Sequence, residues 1–257
     1  MNIIILFFAF VFGLVIGSFL NVCIYRIPKK LSLVWPGSAC PKCGAQIKWY
    51  DNIPLLSWLF LLGKCRACKA KISAQYPAVE FFTGLITVLF IYKFGLSLWA
   101  AFALIAVYCL IILSVIDMKI MIIPDRFSIG LIVFGVATSF ANPAFFGAPW
   151  ERFVASLVGG GLGFFGMWAI ALIGTFIFRK EAMGGGDIKL MGAIGALSGF
   201  LGVVNALIIS SFAGIFYFGL LVLIRKPVGS GVVPFGPFLS VGLLFNLYFP
   251  AMIFFVP

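Results

Sequence analysis

Apolar residues run through this chain in blocks of about twenty, separated by short polar islands, and twenty apolar residues are what an α-helix needs to cross a bilayer. The blocks predict spans at residues 3–24, 77–92, 98–116, 127–140 and 153–178. A further block, 190–224, is too long for one span and is predicted to split near Ser198 to Gly202 into a short sixth and a full seventh helix. An eighth span is predicted at 237–255. Gly13 with Gly17, and Gly159 with Gly163, are spaced four apart, a pattern that lets helix backbones approach closely. The glycine-rich fifth span is longer than the bilayer needs, so it is expected to tilt.

Residues 25–76 break the pattern. This long polar segment holds nine basic residues: Arg26, Lys29, Lys30, Lys42, Lys48, Lys64, Arg66, Lys69 and Lys71. Basic loops stay on the cytoplasmic side, so this segment is expected inside and both termini outside. Of the 18 basic residues only Lys93 and Arg152 then fall outside. Residues 1–21 have no basic residue before them and Arg26 after, which reads as a first span rather than a cleaved signal. The expected organisation is a first membrane helix at 1–24, a cytoplasmic metal-binding loop at 25–76 and a membrane helical bundle at 77–257.

Composition agrees. The chain of 257 residues is 63% hydrophobic and 10% charged, with mean hydropathy +1.21, whereas a soluble domain is about 25% charged. The expected fold class is an all-α polytopic membrane protein of about eight transmembrane helices with a cytoplasmic zinc-ribbon-like loop. The net charge of +11 is explained by topology and attraction to anionic lipid, not by nucleic acid. Histidine is absent, which removes Ser-His and Cys-His nucleophile systems and His-ligated metals.

Two candidate sites follow. In the loop, Cys40-Pro-Lys-Cys43 and Cys65-Arg-Ala-Cys68 have the spacing of a four-thiolate zinc ribbon. So short a segment buries little core, and metal binding supplies its folding energy. Four thiolates leave no open position, so the zinc is expected to be structural. Disulfides or a redox pair are the alternatives; a cytoplasmic loop disfavours the first and a duplicated knuckle the second. Cys23 and Cys109 read as inert core residues. Residues 53–62, around Trp58, are too short to span and are expected either on the membrane surface or as the hydrophobic face of the metal module.

The second candidate is acidic. Asp117, Asp125 and Asp187 sit at span ends, all on the predicted cytoplasmic side. Carboxylates there are functional candidates by default. Two carboxyl groups sharing a proton can activate water and polarise a scissile carbonyl. The glycines at 184–186 are expected to allow close backbone approach and φ > 0, carrying Asp187 toward a partner. From the residues alone three readings stay open: acid/base catalysis, a helix cap on a flexible loop, and ion or proton transport. A zinc-ribbon adaptor with inert helices is a further alternative. Glu80, in the first turn of the second span, is either a helix-start charge favoured by the dipole or a polar residue turned toward a site.

The chain resembles the type IV prepilin peptidase family (leader peptidase/N-methyltransferase) over essentially its whole length. The residues that carry the likeness are Gly17-Ser18-Phe19-Leu20-Asn21-Val22 with Tyr25-Arg26-Ile27-Pro28, the paired Cys-x-x-Cys, and Tyr76-Pro77-x-x-Glu80. They continue with Asp117 to Pro124-Asp125, then Gly184-x-Gly186-Asp187-x-Lys189-Leu190, then Pro234-Phe235-Gly236-Pro237-Phe238. The resemblance implies an enzyme of the bacterial inner membrane whose active site faces the cytoplasm. It implies removal of the leader from prepilin or pseudopilin substrates, then N-methylation of the new terminus with S-adenosylmethionine. It implies Asp117 and Asp187 as the catalytic pair and leaves Asp125 as the start of the fourth helix. It associates the polar N-terminal region with methylation, although no glycine-rich nucleotide-binding strand–helix motif is visible there.

Overall fold

The computed structural model describes residues 2–180, 183–224 and 233–250. Among them every extended element is helical, apart from two isolated β-bridges. The chain forms two compact units, residues 1–104 and 105–257. Five helices are long and apolar enough to cross a membrane, and the protein is a multi-pass membrane protein.

The first unit is built on α1 (Ile3–Arg26) and α3 (Gln75–Phe94), with the polar loop and a short α2 (Leu56–Phe60) between them. Asn2 caps α1 by accepting the Ile4 N–H at 3.2 Å, which satisfies one of the orphan donors of a helix start. The expected glycine face of α1 is the packing surface. A Cβ on Gly13 would lie 2.7 Å from Gly84 Cα of α3, and one on Gly17 would lie 2.7 Å from Glu80 Cα. Such approach between backbones substitutes for the hydrophobic drive that lipid does not supply. Buried Asn21 adds polar glue, donating to Gly17 O and to Tyr76 O, the latter at 3.0 Å. Pro77 falls in the first turn of α3, where a missing N–H costs nothing.

The second unit begins within α4 (Leu98–Ile120) and continues through α5 (Asp125–Ala137), α6 (Pro149–Phe178), α7 (Gly185–Leu223) and α8 (Gly236–Tyr248). Helices α6 and α7 meet through glycines: a Cβ on Gly159 would lie 2.8 Å from Gly199 Cα, and one on Gly163 would lie 3.1 Å from the Met191 carbonyl carbon. Both expected small-residue motifs are therefore packing faces. The 30 residues of α6 make about 45 Å of helix, longer than a hydrocarbon core of about 30 Å.

Helix α7 is 39 residues long and breaks at Gly199 (φ 71°, ψ −178°), inside the expected split. The break frees carbonyls that lipid cannot satisfy, and side chains answer them. Ser156 Oγ donates to Ala196 O at 2.6 Å, and Asn142 Nδ2 donates to Leu197 O at 2.7 Å. Farther along, Asn246 of α8 donates to Gly202 O and accepts from Asn205, both at 2.7 Å. Helices α5 and α8 have 13 described residues each, about 20 Å. A 3-10 turn at Ser139–Ala141 ends the fourth segment earlier than its apolar pattern suggests. The predicted end of the eighth span, 251–255, lies outside the described residues.

Candidate active site

Asp117 sits in the last turn of α4 and is only 5% exposed. Its Oδ2 accepts the Gly236 N–H at 3.1 Å. Gly236 opens α8 and is followed by Pro237, which has no N–H, so an orphan helix-start donor is spent on a buried carboxylate. The approach requires glycine: a Cβ at 236 would lie 2.7 Å from Asp117 Oδ2 and 2.9 Å from Ile123 Cδ1.

Asp187 lies in the first turn of α7, where the helix dipole favours a carboxylate. Its Oδ1 is buried with no hydrogen-bond partner among the described residues. Ile123 joins the two arms. It packs by Gly236 and Asp117 on one side, and a Cβ on Gly186 would lie 2.8 Å from its own Cβ on the other. The close approach expected of the 184–186 glycines is thus made by Gly186. The expected φ > 0 is not used: Gly184 has φ −69°, and none of the three is among the positive-φ residues. Asp117 is within electrostatic reach of Asp187.

Asp125 differs from both. It is exposed and begins α5 as expected, but it caps nothing; Pro124 holds the cap position. Its Oδ1 instead accepts from Lys189 Nζ at 2.7 Å, tying the start of α5 to the first turns of α7. Glu80 is neither a solvated helix-start charge nor free. It is 8% exposed, and its Oε2 accepts the Leu55 N–H at 2.8 Å.

The cysteines form the second centre. The sulfurs of Cys40, Cys43, Cys65 and Cys68 all lie within 4.8 Å of one another. The two knuckles repeat each other's bonds. Cys40 N–H donates to Ala45 O and Gly44 N–H to Cys40 O; Cys65 N–H donates to Ala70 O and Lys69 N–H to Cys65 O. Antiparallel bridges Ala39 to Gln46 and Lys64 to Lys71 close both. The fifth residue of each, Gly44 and Lys69, takes positive φ. A tetrahedral ion with bonds of about 2.3 Å holds its sulfurs about 3.8 Å apart, and Cys40 and Cys68 sulfurs are 3.9 Å apart. That separation fits shared ligation and is far beyond a disulfide bond of about 2.05 Å. Backbone N–H groups of Cys43 and Lys42 hold the Cys40 thiol down to about 6, while the Cys43 thiol, despite its bond to the Ala45 N–H, is pushed up to about 11 by the neighbouring sulfurs. Without a metal the cluster therefore favours one thiolate and not four. Arg66, within the second knuckle, forks onto Asp51 at 2.6 Å and 2.8 Å and holds that carboxyl below its usual range. Cys23 is buried as expected, and Cys109 is half-buried.

Residues 11–94 match the Bacterial Peptidase A24 N-terminal domain and residues 104–219 the Type IV leader peptidase family. A "Type 4 prepilin-like proteins leader peptide-processing enzyme" of Escherichia coli O78:H11 is 38% identical over 259 residues, covering 93% of this chain and 92% of that protein. The chain belongs to the type IV leader peptidase family. Two further family members, each a "Prepilin leader peptidase/N-methyltransferase", come from Myxococcus xanthus and Dichelobacter nodosus. The first is 37% identical over 80% of this chain and 60% of its own length; the second is 32% identical over 95% and 91%. No solved structure matches.

The family's N-terminal match falls within the first compact unit and holds the cysteine cluster. Its peptidase match holds Asp117 and Asp187. Sequence reasoning assigned no role to Gly236, Ile123 or Lys189. A glycine followed by proline at a helix start does carry a signal for Gly236: one N–H is left there that the helix itself cannot use.

Proposed function

We propose that Asp117 and Asp187 are the catalytic pair of a membrane-embedded aspartyl peptidase that removes the leader from type IV prepilins or pseudopilins. The chain is a leader peptidase/N-methyltransferase by family, and nothing favours the transporter alternative. The observation that supports the site assignment is that Ile123 packs against both Gly236, the donor to Asp117, and Gly186, the neighbour of Asp187, while Asp187 Oδ1 is buried with no hydrogen-bond partner among the described residues.

One carboxylate takes a proton from water as the oxygen attacks the scissile carbonyl carbon. The other gives its proton to the carbonyl oxygen, and collapse of the tetrahedral adduct sends a proton to the leaving amine. Asp117 Oδ2 is engaged by the Gly236 N–H, whereas buried Asp187 Oδ1 has no hydrogen-bond partner among the described residues and is left to bond water or substrate. Exposed Asp125, paired with Lys189, is outside this chemistry.

Zinc on Cys40, Cys43, Cys65 and Cys68 fits the donor set and holds the loop's shape, with no open position for chemistry. S-adenosylmethionine is the methyl donor that N-methyl transfer implies, offering a sulfonium methyl group to the new terminal amine. The basic loop and the charge pattern support a bacterial inner-membrane location with the aspartates facing the cytoplasm, where a prepilin's cut site meets the bilayer surface.

The test is leader release from a prepilin by purified protein in lipid. Asp117→Asn and Asp187→Asn are each expected to lose about 10³-fold or more while remaining folded, and Asp125→Asn to stay within about tenfold. An Asp187→Asn variant that cuts at the parent rate would sink the assignment.

A further inference from the structure

The segment between the two metal knuckles carries an apolar surface that neither the peptidase nor the metal uses. Leu56, Leu59, Phe60 and Leu62 are exposed, Phe60 and Leu62 at 82% each. Ser57 is buried beneath them, and Trp58 packs on Gly63. Four large apolar side chains displayed from eight residues mark an interaction surface, and three observations say what covers it.

The first is depth. Asn52 and Pro54 line a cavity of about 260 Å³ together with Val15, Ser18, Phe19 and Val22 of α1. Ser18 and Val15 precede the polar end of α1 at Arg26 by eight and eleven residues, which is about 12 Å and 16 Å of helix. One leaflet of a hydrocarbon core is about 15 Å thick. The loop therefore descends alongside a membrane span instead of standing above it.

The second is anchoring. The Leu55 N–H is held by Glu80, one turn inside α3, at the point where α3 packs on α1: a Cβ on Gly17 would lie 2.7 Å from Glu80 Cα. Leu55 sits at φ 60° at the start of α2 under that bond. A buried carboxylate thus ties the segment to α3 beside its contact with α1.

The third is backbone satisfaction, the condition for irregular chain at membrane depth. The Ile53 N–H donates to Ser57 Oγ, and Ser57 Oγ donates to Tyr50 O. The N–H groups of residues 56, 57, 59 and 61–64 all find carbonyls within the segment, and Trp58 Nε1 donates to Ile72 O. Most N–H groups of the segment are therefore satisfied without water.

We propose that residues 55–62 form a re-entrant segment inserted in the leaflet at the Arg26 end of α1, with Leu56, Leu59, Phe60 and Leu62 against lipid acyl chains. Lys48 and Lys64 flank the segment in sequence at the headgroup level, where cations are attracted to anionic lipid. The metal module is then held down on the bilayer surface, at the depth where a membrane-anchored substrate emerges.

The experiment places the photoreactive residue p-benzoyl-phenylalanine at Phe60, at Leu62, and at exposed Lys42 of the first knuckle, in the full chain loaded with zinc. Each protein is irradiated in nanodiscs of phosphatidylethanolamine and phosphatidylglycerol, and adducts are mapped by mass spectrometry. Retained zinc reports that the module is folded, and the two test positions check each other. The expected result is an acyl-chain adduct at 60 and 62 in at least tenfold higher yield than at 42. Equal yields at all three positions, no lipid adduct at 60 and 62, or adducts only to protein, whether this chain or a second copy, would overturn the proposal. None of these outcomes depends on peptidase activity.

Discussion

The cysteine cluster and the aspartate site are both built from four short stretches or fewer, yet they are assembled in opposite ways. The four thiols come from 29 consecutive residues, and each knuckle closes its own turn with its own backbone. The aspartate site draws on residues 117–123, 184–187 and 236, and the hydrogen bond from Gly236 to Asp117 joins positions 119 apart. The first can form wherever a metal is available. The second exists only when the helices of its unit are packed. Local chemistry is therefore carried by spacing, and distant chemistry by glycines that let backbones meet.

The largest effect that would sharpen this contrast is loss of either aspartate, expected to cost about 10³-fold or more in leader release with zinc content unchanged. Next comes the metal. Chelation, or Cys40→Ser with Cys65→Ser, is expected to expose residues 25–76 to added protease, because metal supplies most of such a module's folding energy. Cleavage should fall less than in either aspartate variant, and methylation of the cleaved product should fall more. Equal loss of both activities would break the separation.

Gly236→Ala is expected to lie between. Its Cβ would sit 2.7 Å from Asp117 Oδ2, so carboxylate and helix start must part. Loss of the Gly236 donor to Asp117 is expected to lower kcat by about 10–100-fold, in the range of a misplaced catalytic group, with little change in KM. Lys189→Ala should do least, within about tenfold, since it breaks a partly exposed ion pair worth about 0–1 kcal/mol. If Lys189→Ala matched Gly236→Ala, the surface pair would be holding the site and the buried bond would not.

These contrasts explain what the sequence could disclose. Span positions, the break at Gly199 and the four-cysteine cluster were legible because each is written in local pattern: apolar runs, an overlong block, and Cys-x-x-Cys spacing. Asp117 and Asp187 were legible as candidates because carboxylates at span ends are costly without a purpose. The partner of Asp117 was not, because Gly236-Pro237 marks a spare helix-start N–H but not the carboxylate, 119 positions away, that takes it. Asp125 was expected to cap a helix and instead pairs with Lys189, 64 positions away. Glu80 was left open because its partner, the Leu55 N–H, is a backbone group in a loop with no periodic pattern. The early stop of α5 likewise depends on tertiary context, as apolar residues continue through the 3-10 turn.

The claim that the two aspartates work as one unit is tested most directly by a mutant cycle. Leader release would be measured at saturating prepilin for Asp117→Asn, Asp187→Asn and the double variant, with folding followed through thermal unfolding of the whole protein in detergent. Groups that act together are strongly non-additive, so the account predicts that the double variant is no slower than the slower single. Losses that multiply, or a single variant that retains the parent rate, would contradict it.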